Sequence, residues 1–207
     1  MWLGAGVAYP LTAAVTAAAT LAVLVGVAGD QHPHARFGAA NAVTTIRVGL
    51  VALVAGLIGV QAGVSGLWLG VVLASVAAVL DGVDGWLARR TGLASAFGAR
   101  FDMETDALLI LVLSILVWQH GKAGPWVLAG GLMRYGFVAA GWVLSWLARP
   151  LRSTLRGKTV AVVQIIGLIV AIAPIIPVPY SAIVAAVTLT VLAWSFAVDI
   201  VRLARGR

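Results

Sequence analysis

The chain has 207 residues, of which 62% are hydrophobic, 24 are glycine and only 10% are charged. Soluble domains carry about 25% charged residues, so this composition excludes a water-soluble globule, a disordered chain and a coiled coil, and leaves an all-α integral membrane protein. With no cysteine there are no disulfides, thiolate metal sites or cysteine nucleophiles, and the net charge of +7 is read as loops held at anionic headgroups rather than as nucleic-acid binding.

A spanning helix needs roughly 17–25 mostly apolar residues. In chain order, seven such segments are predicted, at about 5–28, 44–63, 65–82, 101–119, 124–148, 159–176 and 180–201. The first is read as a retained helix. Gly26-Val27-Ala28-Gly29 suits signal-peptide cleavage, but no Lys or Arg precedes the apolar run. The polar stretch that follows, within residues 30–47, is assigned to the cytoplasmic interface. Gly66 and Gly70 form a small-xxx-small pair, to which a chain this rich in glycine and alanine assigns no function.

Orientation follows from the basic residues. If the link 30–47 is cytoplasmic, that side carries Arg36, Arg47, Arg89, Arg90, Arg100, Arg149, Arg152, Arg156, Lys158, Arg202, Arg205 and Arg207, which is 12 of the 14. Lys122 lies on the other side and Arg134 lies inside a span.

The seven acidic residues carry the chemistry. Five of them, Asp81, Asp84, Asp102, Glu104 and Asp106, fall within residues 81–106, and carboxylates near a membrane are costly and tend to be functional. Asp81 and Asp84 are three apart and Asp102 and Asp106 four apart, so each pair shares one helix face. An antiparallel hairpin of the third and fourth spans would bring all four carboxylates together at one depth. Their repulsion is resolved by a divalent cation, and hard oxygen donors without His or Cys suit Mg²⁺ or Mn²⁺. Gly85, Gly92 and Gly98 permit close approach of a ligand, and Arg89, Arg90 and Arg100 suit phosphate. The competing explanation is helix-end charge. It accounts for Asp102 and Asp106 near a helix N-terminus but not for Asp81 and Asp84 at a C-terminal end.

Asp81, Asp84-Gly85, Ala88-Arg89, Gly98, Asp102 and Asp106, at these spacings, resemble the signature of the CDP-alcohol phosphatidyltransferases at all eight specified positions. Asn41-Ala42-Val43-Thr44-Thr45-Ile46-Arg47 is similar to the Asn-x-x-Thr-x-x-Arg segment that begins the family's first core helix. The resemblance implies a six-helix membrane bundle over residues 44–207; the helix within 1–29 departs from that pattern and is read as an accessory transmembrane helix. The resemblance also implies a CDP-linked lipid donor, usually CDP-diacylglycerol, and an alcohol acceptor that attacks the lipid-bearing phosphorus and releases CMP. Two metal ions are implied, ligated by Asp81, Asp84, Asp102 and Asp106, with Asp106 also the base. Donor contacts are implied for Gly85, Arg89, Ser95 and Asn41, and the assembly is expected to be a homodimer among membrane lipids. The signature leaves the acceptor open, with glycerol 3-phosphate, inositol phosphate, inositol and serine as options. A divalent-cation transporter and an inactive scaffold of the same fold are the alternatives. They are disfavoured by charges gathered at one face and by the presence of all four aspartates.

For Arg149, Arg152, Arg156 and Lys158 two readings stand, topology anchors or a pocket for an anionic acceptor such as a polyol phosphate. Asp199 is expected to pair with Arg202, three residues on, and Glu104 to face solvent. Arg134 is left off the site, as are His32 and His34. Trp118, Trp126, Trp142 and Trp146 are read as interface anchors.

Overall fold

In hydrocarbon every backbone N–H and C=O must be met within the chain, and helices do this segment by segment. The computed structural model describes residues 9–11, 13–16, 18, 39–61, 63–91, 96–144, 146 and 154–205, without the side chains of 39–41, 84, 86–89, 91, 96 and 97. Among the described residues there is no strand. The helices are α1 (Ala39–Ala55), α2 (Val64–Thr91), α3 (Ala96–Gln119), α4 (Leu128–Val143), α5 (Leu155–Ile172) and α6 (Tyr180–Arg205), with a 3-10 turn at Pro125–Val127. The described residues between 9 and 18 are helical as well. This is an all-α integral membrane protein. Val64–Val83 of α2, all of α5 and all of α6 are each long and apolar enough to cross a bilayer. The chain divides into two compact units, Met1–Val112 and Leu113–Arg207.

In the first unit α1 packs on α2. The apolar run that predicts a span to 63 is cut short by glycine: α1 ends at Ala55, and residues 56–59 form a turn. Leu57 N–H donates to Val54 O (3.0 Å) and Ile58 N–H to Ala55 O (2.9 Å), and Gly59 takes a φ of +78° that suits glycine. A Cβ on Gly56 would lie 2.9 Å from both the ring and the carbonyl oxygen of Tyr9, so the first helical stretch approaches the end of α1 closely. On α2, Gly66, Gly70, Ala74 and Ala77 are buried. The small-xxx-small pair is thus part of a packing face, and a Cβ on Gly70 would come within 3.1 Å of Leu57.

Two helix boundaries differ from expectation and bear on the chemistry. α2 has 28 residues, about 42 Å at 1.5 Å per residue, against roughly 30 Å of hydrocarbon. It runs on to Thr91, so Asp81 and Asp84 are interior helix positions rather than its end. Arg89 and Arg90 occupy the last turn, the end of a helix at which positive charge is favoured. α3 begins at Ala96, not 101, and has no acidic residue in its first turn. The helix-dipole account of Asp102 therefore fails, because the dipole acts within the first turn.

The second unit is held by close contacts and caps. α3 ends in a Schellman motif: Lys122 N–H donates to Val117 O (2.9 Å), Gly121 N–H to Trp118 O (3.0 Å), and Gly121 has φ +64°. Lys122 then has a local role. Its Nζ donates to Ala173 O (3.1 Å) and Ile176 O (2.6 Å), carbonyls past α5, and its own carbonyl accepts from Ser181 Oγ (2.7 Å). α5 starts four residues earlier than expected because Thr154 caps it, its hydroxyl accepting from Gly157 N–H at 3.1 Å. α5 packs on α6 through Gly167, where an added Cβ would lie 2.4 Å from Thr188 Cγ2.

That contact yields a prediction. Gly167→Ala should force α5 and α6 apart at a cost of about 1–3 kcal/mol, read as a lower thermal midpoint in detergent. Thr188→Ala in the same chain should restore part of the loss, and an unchanged midpoint in the single variant would count against so close an approach.

Candidate active site

Buried faces of α1 and α2 meet at the level of Arg47. On α1, Thr44, Arg47, Val48, Val51 and Ala52 are buried, one turn after another. On α2, Ala77 carries no side chain that would block Arg47, whose Nε donates to the Ala77 carbonyl at 3.2 Å. Asp81 stands one turn further along the same face.

The Arg47 guanidinium is the centre of the cluster. Nη1 lies 2.9 Å from Asp81 Oδ1 and 2.5 Å from Asp102 Oδ1, donating a hydrogen bond to the latter, and Nη2 donates to Asp106 Oδ1. The Arg47 side chain is 0% exposed, whereas those of Asp81, Asp102 and Asp106 are 23%, 24% and 18% exposed. Thr105 and Phe101 are buried on α3, and Thr105 Oγ1 donates to Phe101 O at 2.9 Å.

The structure brings Asp81, Asp102 and Asp106 together, as their spacing predicts. One carboxylate oxygen from each lies within 4.8 Å of the others, near enough for one hard divalent cation to draw all three as ligands. The donor set therefore fits a hard divalent metal. Asp84 and Gly85 follow on the next turn of α2, with the Asp84 side chain outside the described residues. Arg89 and Asn41 lie on α2 and α1 with side chains likewise outside that set, and Ser95, Arg149 and Arg152 lie wholly outside it. Glu104 is not among the clustered carboxylates.

The sequence reading missed the role of Arg47, which it treated as a topology charge and the end of a motif. The signal was there: an arginine inside the apolar stretch Ala42–Ala55 requires a partner, and the acidic residues of the chain gather at 81–106. A second correction concerns Asp199. Its partner is Arg156 on α5, whose Nη2 donates to Asp199 Oδ1 and whose guanidinium carbon lies 5.8 Å from the Trp194 ring centre. An arginine from the neighbouring helix thus holds the carboxylate expected to pair along α6 with Arg202. Lys158, two residues after Arg156, is exposed.

A model of the CDP-alcohol phosphatidyltransferase family matches residues 37–198, a span containing the whole acidic cluster and Arg47. The chain belongs to that family. A relative from Cereibacter sphaeroides (strain ATCC 17023), named CDP-diacylglycerol--glycerol-3-phosphate 3-phosphatidyltransferase, is 27% identical over 88 residues. The match covers 42% of this chain and 40% of that relative's length, so the chain spans about two fifths of the curated relative it matches. No solved structure matches the chain.

If the triad is a metal site, Asp102→Asn should lower the affinity of the purified protein for Mn²⁺ by at least about tenfold, the lower end of the loss caused by removing even an outer partner of a metal ligand. Electron paramagnetic resonance of free Mn²⁺ measures it directly. Glu104→Gln should leave the affinity unchanged, and equal losses in the two variants would remove the triad from consideration.

Proposed function

We propose that the protein transfers the phosphatidyl group of CDP-diacylglycerol to a polyol phosphate and releases CMP, at the cytoplasmic face of a bacterial cell membrane. The observation that carries this reading is the convergence of Asp81, Asp102 and Asp106 on one partly open cluster within a family match. Glycerol 3-phosphate is the first acceptor to test, since the similar protein from Cereibacter is named for it, and inositol phosphate is the second. The cytoplasmic placement rests on the positive-inside distribution of the basic residues, and a homodimer is the expected assembly.

Asp81, Asp84, Asp102 and Asp106 hold the metal, two Mg²⁺ or Mn²⁺ ions, which when bound stabilise charge on attacking and leaving oxygens. Gly85, without a side chain, leaves room for the donor directly after Asp84. Arg89, one turn beyond, binds phosphate oxygens, and Asn41 and Ser95 contact the nucleotide. Asp106 gives Oδ1 to Arg47; its other oxygen faces both the metal and the acceptor, and the acceptor's hydroxyl proton passes to it. The acceptor oxygen bonds to the lipid-bearing phosphorus, the bond from that phosphorus to the bridging oxygen breaks, and CMP leaves with the electron pair. Arg149, Arg152 and Lys158 draw the anionic acceptor, while Arg156 is taken up by Asp199.

The deciding experiment is release of CMP from CDP-diacylglycerol by purified protein, with and without divalent metal, across glycerol 3-phosphate, inositol phosphate, inositol and serine. Metal-dependent release that requires a phosphorylated acceptor is expected. No release with any of them, or release independent of metal, would overturn the assignment. Asp106→Asn should keep donor affinity while the single-turnover rate falls by about 10²–10⁴-fold. If donor affinity falls as far as the rate, Asp106 is a ligand and the base lies elsewhere. Arg152→Ala and Lys158→Ala should raise KM for the acceptor more than for the CDP-lipid, and an unchanged acceptor KM in both would return them to topology anchors.

A further inference from the structure

Among the described residues, Arg47 is the only charged side chain in the buried core. It meets each of the three carboxylates through its Oδ1 atom, and Asp81 Oδ1 is itself sealed from solvent. The exposed part of the Asp81 side chain is therefore not the oxygen that faces the guanidinium. At Asp81 the cluster thus has a closed side, filled by Arg47, and an open side. The guanidinium is also fixed in orientation, because Nε is bound to the Ala77 carbonyl while Nη1 and Nη2 take different carboxylates.

We propose that Arg47 is the positioning residue of the metal centre. Resting on the metal reading above, it gathers Asp81, Asp102 and Asp106 from their closed side and holds them in place before metal arrives, so that their remaining oxygens form a ready divalent site. Without it the carboxylates repel one another and splay, and the metal must do the gathering at the expense of its own affinity. The planar fork is what does this, since it offers several donors in fixed directions, where lysine offers a point charge on a flexible stem. Outer partners that orient metal ligands typically contribute 10–100-fold in metal affinity.

The test is Mn²⁺ binding to the full-length protein in detergent with no substrate present. Arg47→Gln should lower the affinity by about 10–100-fold, and Arg47→Lys, which keeps the charge, should recover only part. An affinity in Arg47→Gln equal to or above that of the wild type would overturn the proposal, because Arg47 would then be a competitor of the metal. Should Arg47→Gln fail to fold, Arg47→Lys decides alone, and wild-type affinity in the folded lysine variant overturns the proposal. As a second readout, saturating Mn²⁺ should restore turnover in Arg47→Lys. A rate that stays low once metal is saturated would place Arg47 in the chemical step instead. The two readings fail separately. Wild-type protein that binds Mn²⁺ through the triad but releases no CMP loses the transferase assignment only. CMP release with undiminished Mn²⁺ affinity in Arg47→Gln loses the role of Arg47 only.

Discussion

A guanidinium sealed from solvent among apolar helices must have its charge met, and the first unit is arranged around meeting it. Arg47 is fully buried, and Asp81 on α2 with Asp102 and Asp106 on α3 supply the opposing charge. The demand runs in both directions. Three carboxylates in one small volume would repel without a cation, and an arginine on α1 would be prohibitive in hydrocarbon without acids. The same contacts that make the buried charge tolerable set the spacing of the three oxygens within 4.8 Å. Stability of the helix group and geometry of the site are therefore one constraint.

Small residues make that constraint reachable. Ala74 and Ala77 are fully buried, and a larger side chain at Ala77 would stand between Arg47 and the carbonyl it binds. The second unit uses the same device for packing, with Gly167 against Thr188 and Gly130 beside the Gln164 amide. Between helices in a membrane the gain comes from close van der Waals approach rather than from expulsion of water, which is why glycine and alanine at these positions carry more weight than bulky apolar residues. Lys122 and Arg156 extend the logic to helix ends: each is spent on a specific acceptor, the carbonyls past α5 and the Asp199 carboxylate.

Local patterning of the sequence was enough for the class and most of the chemistry. A chain with 62% hydrophobic and 10% charged residues has only helices in a membrane open to it. The spacings of Asp81 with Asp84 and of Asp102 with Asp106 put each pair on one helix face, because that follows from helix periodicity alone. Eight residues at fixed intervals pointed to the family. Helix ends were less legible. Gly56 stopped α1 inside an apolar run, while α2 continued through charged residues to Thr91, since hydropathy reports where a helix is apolar and not where its hydrogen bonds stop.

Tertiary structure decided what each charge meets. In the sequence Arg47 is one basic residue among 14, and its partners lie 34, 55 and 59 positions away. Asp199 has an arginine three residues on, yet takes Arg156 from another helix 43 positions away. Periodicity places side chains on a face of their own helix. Which helix lies opposite that face, and at what depth, depends on packing between distant segments, and that pairing turned a topology charge into the centre of the candidate site.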